Sequence, residues 1–112
     1  MNHTKTEVPY GTLDLLVLQT LHTLGSTHGF GIARRIEEMS AGTLELNQGS
    51  IYPALLRLQQ RGWIESTWGQ SDNNRRAKFY ELTPLGVQQL ESEIASWRRT
   101  ISLVERVLES TS

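Results

Sequence analysis

NQGSIYPALLRLQQRGWIESTWGQSDNNRRAKFYEL, residues 47–82, is the stretch whose reading decides the fold. Ile51, Leu55 and Leu58 recur at i, i+4 and i+7 and so stack on one face of a helix, while Ser50, Arg57 and Arg61 project from a neighbouring, solvent-facing side. Gly62 ends that helix, because a residue without a Cβ enters the left-handed cap conformation cheaply. Trp63 to Trp68 and Lys78 to Leu82 carry aromatic and β-branched residues in partial alternation. Between them GQSDNNRRA is all turn formers plus two arginines. A helix with a polar, basic face followed at once by a basic hairpin predicts a winged helix-turn-helix presented to DNA.

The start of this helix has two readings. With Ser50 as cap, Pro53 falls at N3, where its missing N–H costs little; with Asn47 as cap, Pro53 lies deeper and should bend the helix. Either way Gln48, Gly49 and Ser50 sit at the N-terminal end, where backbone N–H groups and the macrodipole favour a phosphate.

Upstream, residues 1–10 read as a flexible N-terminus in which only Val8 and Tyr10 could pack. Thr12 is the expected cap of a first helix whose Leu13, Leu16, Val17, Leu21 and Leu24 form a stripe widened by Leu15 and Leu18, which suggests burial on two sides. Gly25 to His28 is a breaker, and a second helix from about Gly29 to Met39 is expected to turn Phe30, Ile32, Ala33, Ile36 and Met39 inward. Downstream, Thr83 followed by Pro84 starts a helix to about Leu108. In it Val87, Leu90, Ile94, Trp97, Ile101, Val104 and Leu108 alternate spacings of three and four, an a/d seam over about three heptads that favours pairing with a second copy. Folding back onto its own domain is the alternative. The chain therefore divides into residues 1–10, a winged helix-turn-helix over 11–82 and a C-terminal dimerisation helix over 83–112, mainly α with one small β-hairpin.

Eleven Lys and Arg against twelve Asp and Glu leave a net charge of −1, unlike many nucleic-acid-binding domains. By segment, residues 1–46 carry −2, 47–82 carry +2 and 83–112 carry −1, so the positive excess lies in the proposed reading unit. Phosphate binding depends on local cations, and such a balance predicts moderate, salt-sensitive non-specific affinity. Without cysteine there is no disulfide framework, thiolate metal site or cysteine nucleophile. The N-terminus lacks a signal peptide's apolar run and no stretch approaches a membrane span, so a cytoplasmic protein is the expectation.

With these elements assigned, the sequence resembles the PadR family of bacterial transcriptional regulators, in particular its small subfamily with a single C-terminal helix. GTLDLLVLQTL, HGFGIARRI, GSIYPALLRLQQRGWI and RRAKFYELTPLG carry the resemblance, spanning most of residues 11–86 in the family's order and spacing; beyond them the match is in length and in SWRR. The resemblance implies a winged-helix fold, a homodimer, and repression through a pseudo-palindromic operator in double-stranded DNA.

In a winged helix-turn-helix the third helix enters the major groove by its N-terminal residues while the wing holds the backbone. Gln48 and Ser50, with Gly49 between them, are the candidates for base or adjacent phosphate contact, and glutamine can read adenine through paired hydrogen bonds. Arg57 shares the face of Ser50 and is expected to meet a phosphate; Arg61 is either another such cation or a complement to the helix dipole. Tyr52 matches the family's tyrosine in this helix, its alternatives being a phosphate contact and half-burial beside Leu56. Arg75 and Arg76 lie where the family's wing is basic, with Lys78 a weaker case, and a wing arginine clamps a phosphate or enters the minor groove. His28 and Gly29 either meet the backbone or only make the turn. The position of Trp97 in small PadR-like regulators is often a tryptophan lining an inter-subunit pore, which implies a planar aromatic or phenolic effector; simple seam packing is the alternative. Leu90, Ile94, Trp97, Ile101, Val104 and Leu108 are the expected dimer contacts.

No enzyme constellation is present. His3, His22 and His28 have no metal spacing with a carboxylate, Gly29 and Gly31 lack the third glycine of a dinucleotide loop, and NQGSIY is no nucleophile elbow. No cofactor is expected. The competing reading is a winged-helix module whose hairpin meets another protein instead of DNA.

Overall fold

The computed structural model describes residues 11–44, 46 and 48–110, the side chain of Gln48 excepted. The expectations for residues 1–10, for Asn47 as a cap and for the Gln48 side chain lie outside the described residues. The chain forms α1 (Thr12–Leu24), a short strand β1 (Thr27–His28), α2 (Gly29–Met39), α3 (Gln48–Gln60), β2 (Ile64–Gln70), β3 (Arg76–Leu82) and α4 (Pro84–Glu109). Its sheet is antiparallel in the order β1-β3-β2. This is the expected winged helix-turn-helix with a long C-terminal helix, plus one strand that the sequence reads only as a breaker.

The core is where the helix stripes meet. Val17, Leu18 and Leu21 of α1, Ile32 and Ile36 of α2, and Ile51, Leu55 and Leu58 of α3 are buried together with Ile64 and Tyr80 of the sheet and Leu90 of α4. Each fully buried Leu or Ile contributes on the order of 1.5–3 kcal/mol, so the orientation of α3 is fixed by its apolar face. The broad stripe of α1 is used as its width suggests, because α1 touches α2, α3, α4 and β3. The hydroxyl of buried Thr20 donates to the carbonyl of Leu16 at 2.7 Å, which removes the cost of placing it there.

Two local expectations are corrected, and one that the sequence leaves open is decided. Gly11, at φ 92°, occupies the N-cap of α1 and Thr12 is already helical. α3 begins at Gln48, so Pro53 lies inside the helix, the deeper of the two placements. Phe30 and Met39 are 58% and 50% exposed, not inward. The inward stripe of α2 runs Gly29, Ile32, Ala33, Ile36, and Phe30 is one step, about 100°, off it. A Cβ on Gly29 would lie 2.8 Å from Cε1 of Tyr52, so this glycine is what lets the start of α2 lie against the tyrosine ring.

The base of the wing is joined to α4 at Thr83. Its hydroxyl accepts from the N–H of Gly86 at 3.0 Å and donates to the carbonyl of Gly62 at 2.6 Å, while its own N–H donates to the carbonyl of Trp63 at 3.1 Å. A side chain on Gly86 would collide with that Trp63 carbonyl, so the helix start fits only with glycine there. Thr83 as cap and Pro84 in the first turn are as the sequence reads.

Candidate nucleic-acid interface

Within each strand of the hairpin, alternate residues share a face. The pairings Ile64↔Leu82, Ser66↔Tyr80, Trp68↔Lys78 and Gln70↔Arg76 put these eight residues on one side. Near the core that side buries Ile64 and Tyr80; farther out it leaves the helices behind and carries Trp68, Lys78 and Arg76 into solvent. The wing's basic face is thus the continuation of its core-packing face. Because α2 and α3 flank the same side, a groove of about 860 Å³ opens between wing and helices.

Arg34, Arg75, Arg76 and Lys78 line this groove against one acid, Asp72, and His28, Phe30, Tyr52 and Trp68 also stand in its wall. Four cations to one anion make a strongly positive locus on a chain of net charge −1. At physiological salt, where screening acts over about 8 Å, the local excess outweighs the chain total for anything seated there. Tyr52, 41% exposed, faces the wing from α3. Tyr80 is buried beside it, and burial, then the neighbouring Tyr52, raise the Tyr80 phenol above its usual value.

Two devices hold the wing. The N–H and the hydroxyl of Ser71 both donate to the carbonyl of Arg75, at 2.8 and 3.2 Å, and Asn74 takes a left-handed φ of 60° to close the turn. Gly69 leaves room for the Phe79 ring, which meets His28 edge-on at 5.6 Å between centroids. His28 in turn caps α2, its Nδ1 accepting from the N–H of Gly31 at 3.0 Å. Gly69 and His28, which the sequence reads as turn residues, therefore help link the wing to the start of α2 through Phe79.

The structure brings Tyr52, Arg75, Arg76 and Lys78 around one groove. It does not add Arg57. That guanidinium donates to Asp14 of α1 at 2.7 Å, with Arg61 3.9 Å from the other carboxylate oxygen. Asp14 is buried, and its charge is compensated by cations that the helical wheel of α3 alone assigns to solvent. Arg57 is accordingly held as a brace between α3 and α1, by a partner 43 residues away in sequence. Gly49 is exposed and Ser50 half-buried at the start of α3. Phe30, Arg34 and Trp68 belong to the groove without having been singled out for it; the alternation that puts Trp68 opposite Lys78 was the available signal.

In α4, Leu90 is buried and Val87 and Ile94 partly so, whereas Trp97, Ile101, Val104 and Leu108 are 43%, 37%, 47% and 73% exposed in the single chain. Trp97 borders a shallow cleft with Leu15 of α1 and Glu93. Among the described residues no helix is long and apolar enough to cross a membrane, and no group of acidic and histidine side chains is placed to hold a metal.

Comparison with known proteins gives one consistent result. The profile of the transcriptional regulator PadR-like family matches residues 17–92. A PadR family transcription regulator from Clostridium difficile is 30% identical, with a TM-score of 0.75 over 88% of this chain and 99% of that one. A transcriptional regulator from Clostridium thermocellum, 24% identical, shares the fold with a TM-score of 0.78 over 86% and 92%. Bacillus subtilis PadR, solved in complex with operator DNA, is 26% identical with a TM-score of 0.66 over 77% of this chain and 48% of its own.

Proposed function

Because the chain belongs to the PadR-like family of transcriptional regulators, a family of regulators and not of enzymes, we propose that it is a homodimeric repressor acting on a pseudo-palindromic operator. The observation that carries this reading is the groove in which Arg75, Arg76 and Lys78 of the wing face Tyr52 of α3. Its cations suit the phosphate backbone, with Gln48, Gly49 and Ser50 at the start of α3 as the base-reading tip. The operator complex of the Bacillus subtilis relative supports the same use of the fold. Two copies pair through the exposed seam of α4, no cofactor is needed, and the protein works in the cytoplasm.

A gel shift against the DNA upstream of its own coding sequence tests this. Arg75→Ala with Arg76→Ala weakens binding to every sequence and flattens its salt dependence, whereas Gln48→Ala changes sequence preference. Unchanged affinity and salt slope in the double variant would remove the wing from the interface, and no shift at all by the wild type favours a protein-binding module.

Release of the operator is assigned to a planar aromatic or phenolic ligand stacked between Trp97 and its symmetry mate, since that indole is 43% exposed on the seam. Titration of such compounds is followed by tryptophan fluorescence and by operator release. A Trp97→Ala protein that responds as the wild type does sinks this part alone.

A further inference from the structure

Trp68 is 58% exposed on the wing and is absent from the residues packed against the core, although an indole is the largest apolar side chain. Core packing therefore does not explain it. The residue lies directly across the hairpin from Lys78 and diagonal to Arg76. The Arg76 guanidinium carbon is 4.7 Å from the indole centroid and the Lys78 ammonium nitrogen 5.8 Å, both within the reach of a cation–π contact. All three border the groove.

The wing's cations are thus held in different ways. Arg75 has its backbone pinned by the double bond from Ser71, a property of the turn. Arg76 and Lys78 lie on open strand, exposed, with long side chains that in water sample many rotamers and lose that freedom on binding an anion. An aromatic face between them restricts the sampling beforehand, and among side chains the indole has the strongest attraction for a cation.

We propose that Trp68 is the positioning residue of the wing: its indole gathers Arg76 and Lys78 into one preformed pair of charges facing the groove, at a spacing set before nucleic acid arrives. The proposal rests on the DNA-binding reading above and adds what gives the wing its charge geometry. Two like charges side by side repel, and the shared ring offsets that cost while leaving their N–H donors outward for phosphate oxygens. Trp68 contributes through the cations and makes no contact with DNA itself.

The test measures fluorescence anisotropy of a mixed-sequence duplex of about 30 base pairs over a salt series, because phosphate contacts register in the slope of affinity against salt. Proteins compared are the wild type, Trp68→Leu, Trp68→Phe, the pair Arg76→Ala with Lys78→Ala, and that pair combined with Trp68→Leu. Trp68→Leu retains apolar bulk and every cation, yet binds about five- to tenfold more weakly, with a salt slope reduced toward that of the Arg76/Lys78 double variant. Trp68→Phe restores most of the loss, and adding Trp68→Leu to the double variant costs nothing further. Trp68→Leu binding with wild-type affinity and slope overturns the proposal, and so does an additive loss in the combined variant, which means that the indole meets the nucleic acid directly. Failure of the underlying reading looks different: there the wild type does not bind, or removing Arg76 and Lys78 changes neither affinity nor slope.

Discussion

Gly62 and Ala41 close two helices with the same pair of backbone hydrogen bonds. After α3 the Gly62 N–H donates to Gln59 at 3.0 Å and the Trp63 N–H to Leu58 at 3.1 Å; after α2 the Ala41 N–H donates to Glu38 at 3.0 Å and the Gly42 N–H to Glu37 at 3.1 Å. Both cap residues are left-handed, at φ 76° and 55°, but only one is glycine. In that region a Cβ costs roughly 1–2 kcal/mol, partly offset by the smaller backbone entropy that a non-glycine residue loses on folding. Gly62→Ala is expected to lower stability by about 1 kcal/mol, since the new Cβ meets nothing nearer than Leu85 at 3.9 Å and the cost is conformational. Ala41→Gly is expected to raise it by about 0.5 kcal/mol by the same reasoning. Urea unfolding midpoints moving in opposite directions bear this out; a loss of stability in Ala41→Gly shows that the left-handed alanine is not strained. The first of these caps is legible in the sequence because glycine stands at it. The second lies inside AGTLEL, which reads only as a connector.

At the scale of elements, what the sequence makes plain is whatever depends on neighbours three, four or two residues away. The buried stripe of α3 and the threonine–proline start of α4 are both of this kind. The hairpin is too, although β2 runs to Gln70 and β3 begins at Arg76, so that pairing extends well into the stretch of turn formers. Polar residues make poor strand signals, but once two strands are in register the ladder continues until the turn at Ser71–Arg75 closes it. What stays hidden depends on distant partners. β1 has two residues, no pattern of its own, and exists because Thr27 and His28 pair with Tyr80 and Phe79. Phe30 reads as core until Gly29 is seen to hold the inward place beneath Tyr52. Arg57 shares the face of Ser50, and nothing within α3 announces Asp14 under it. The groove follows the same rule: its wing cations are visible one by one, and their facing α2 across it is not, because that juxtaposition is made by the sheet and the helix core together.

For the molecule as a whole, α4 is the element whose environment the single chain leaves incomplete. Its 26 residues span about 39 Å of a body 60 Å in longest extent. The N-terminal half is seated on α1 through Leu90 and Ile94. From Ala95 onward every described residue is exposed, yet Trp97, Ile101, Val104 and Leu108 keep the spacing of the buried half, and Leu103 and Val107 widen the apolar face beside them. A seam continuous in sequence but covered over only half its length fits a second copy better than a solvated helix. Under the dimer proposed above, DNA recognition would be bivalent, since two linked DNA-contacting units gain on the order of 10²–10⁴ over one. Ile101→Asp with Val104→Asp is therefore expected to give a folded monomer, with the helices and wing of residues 11–90 intact by circular dichroism. Its binding to a duplex with two half-sites drops by about a hundredfold or more, while weak binding to a single half-site persists. Sedimentation equilibrium beside the gel shift decides the matter: a wild type that is monomeric at micromolar concentration, or a double variant that keeps full affinity for the paired site, would leave α4 without the role proposed for it.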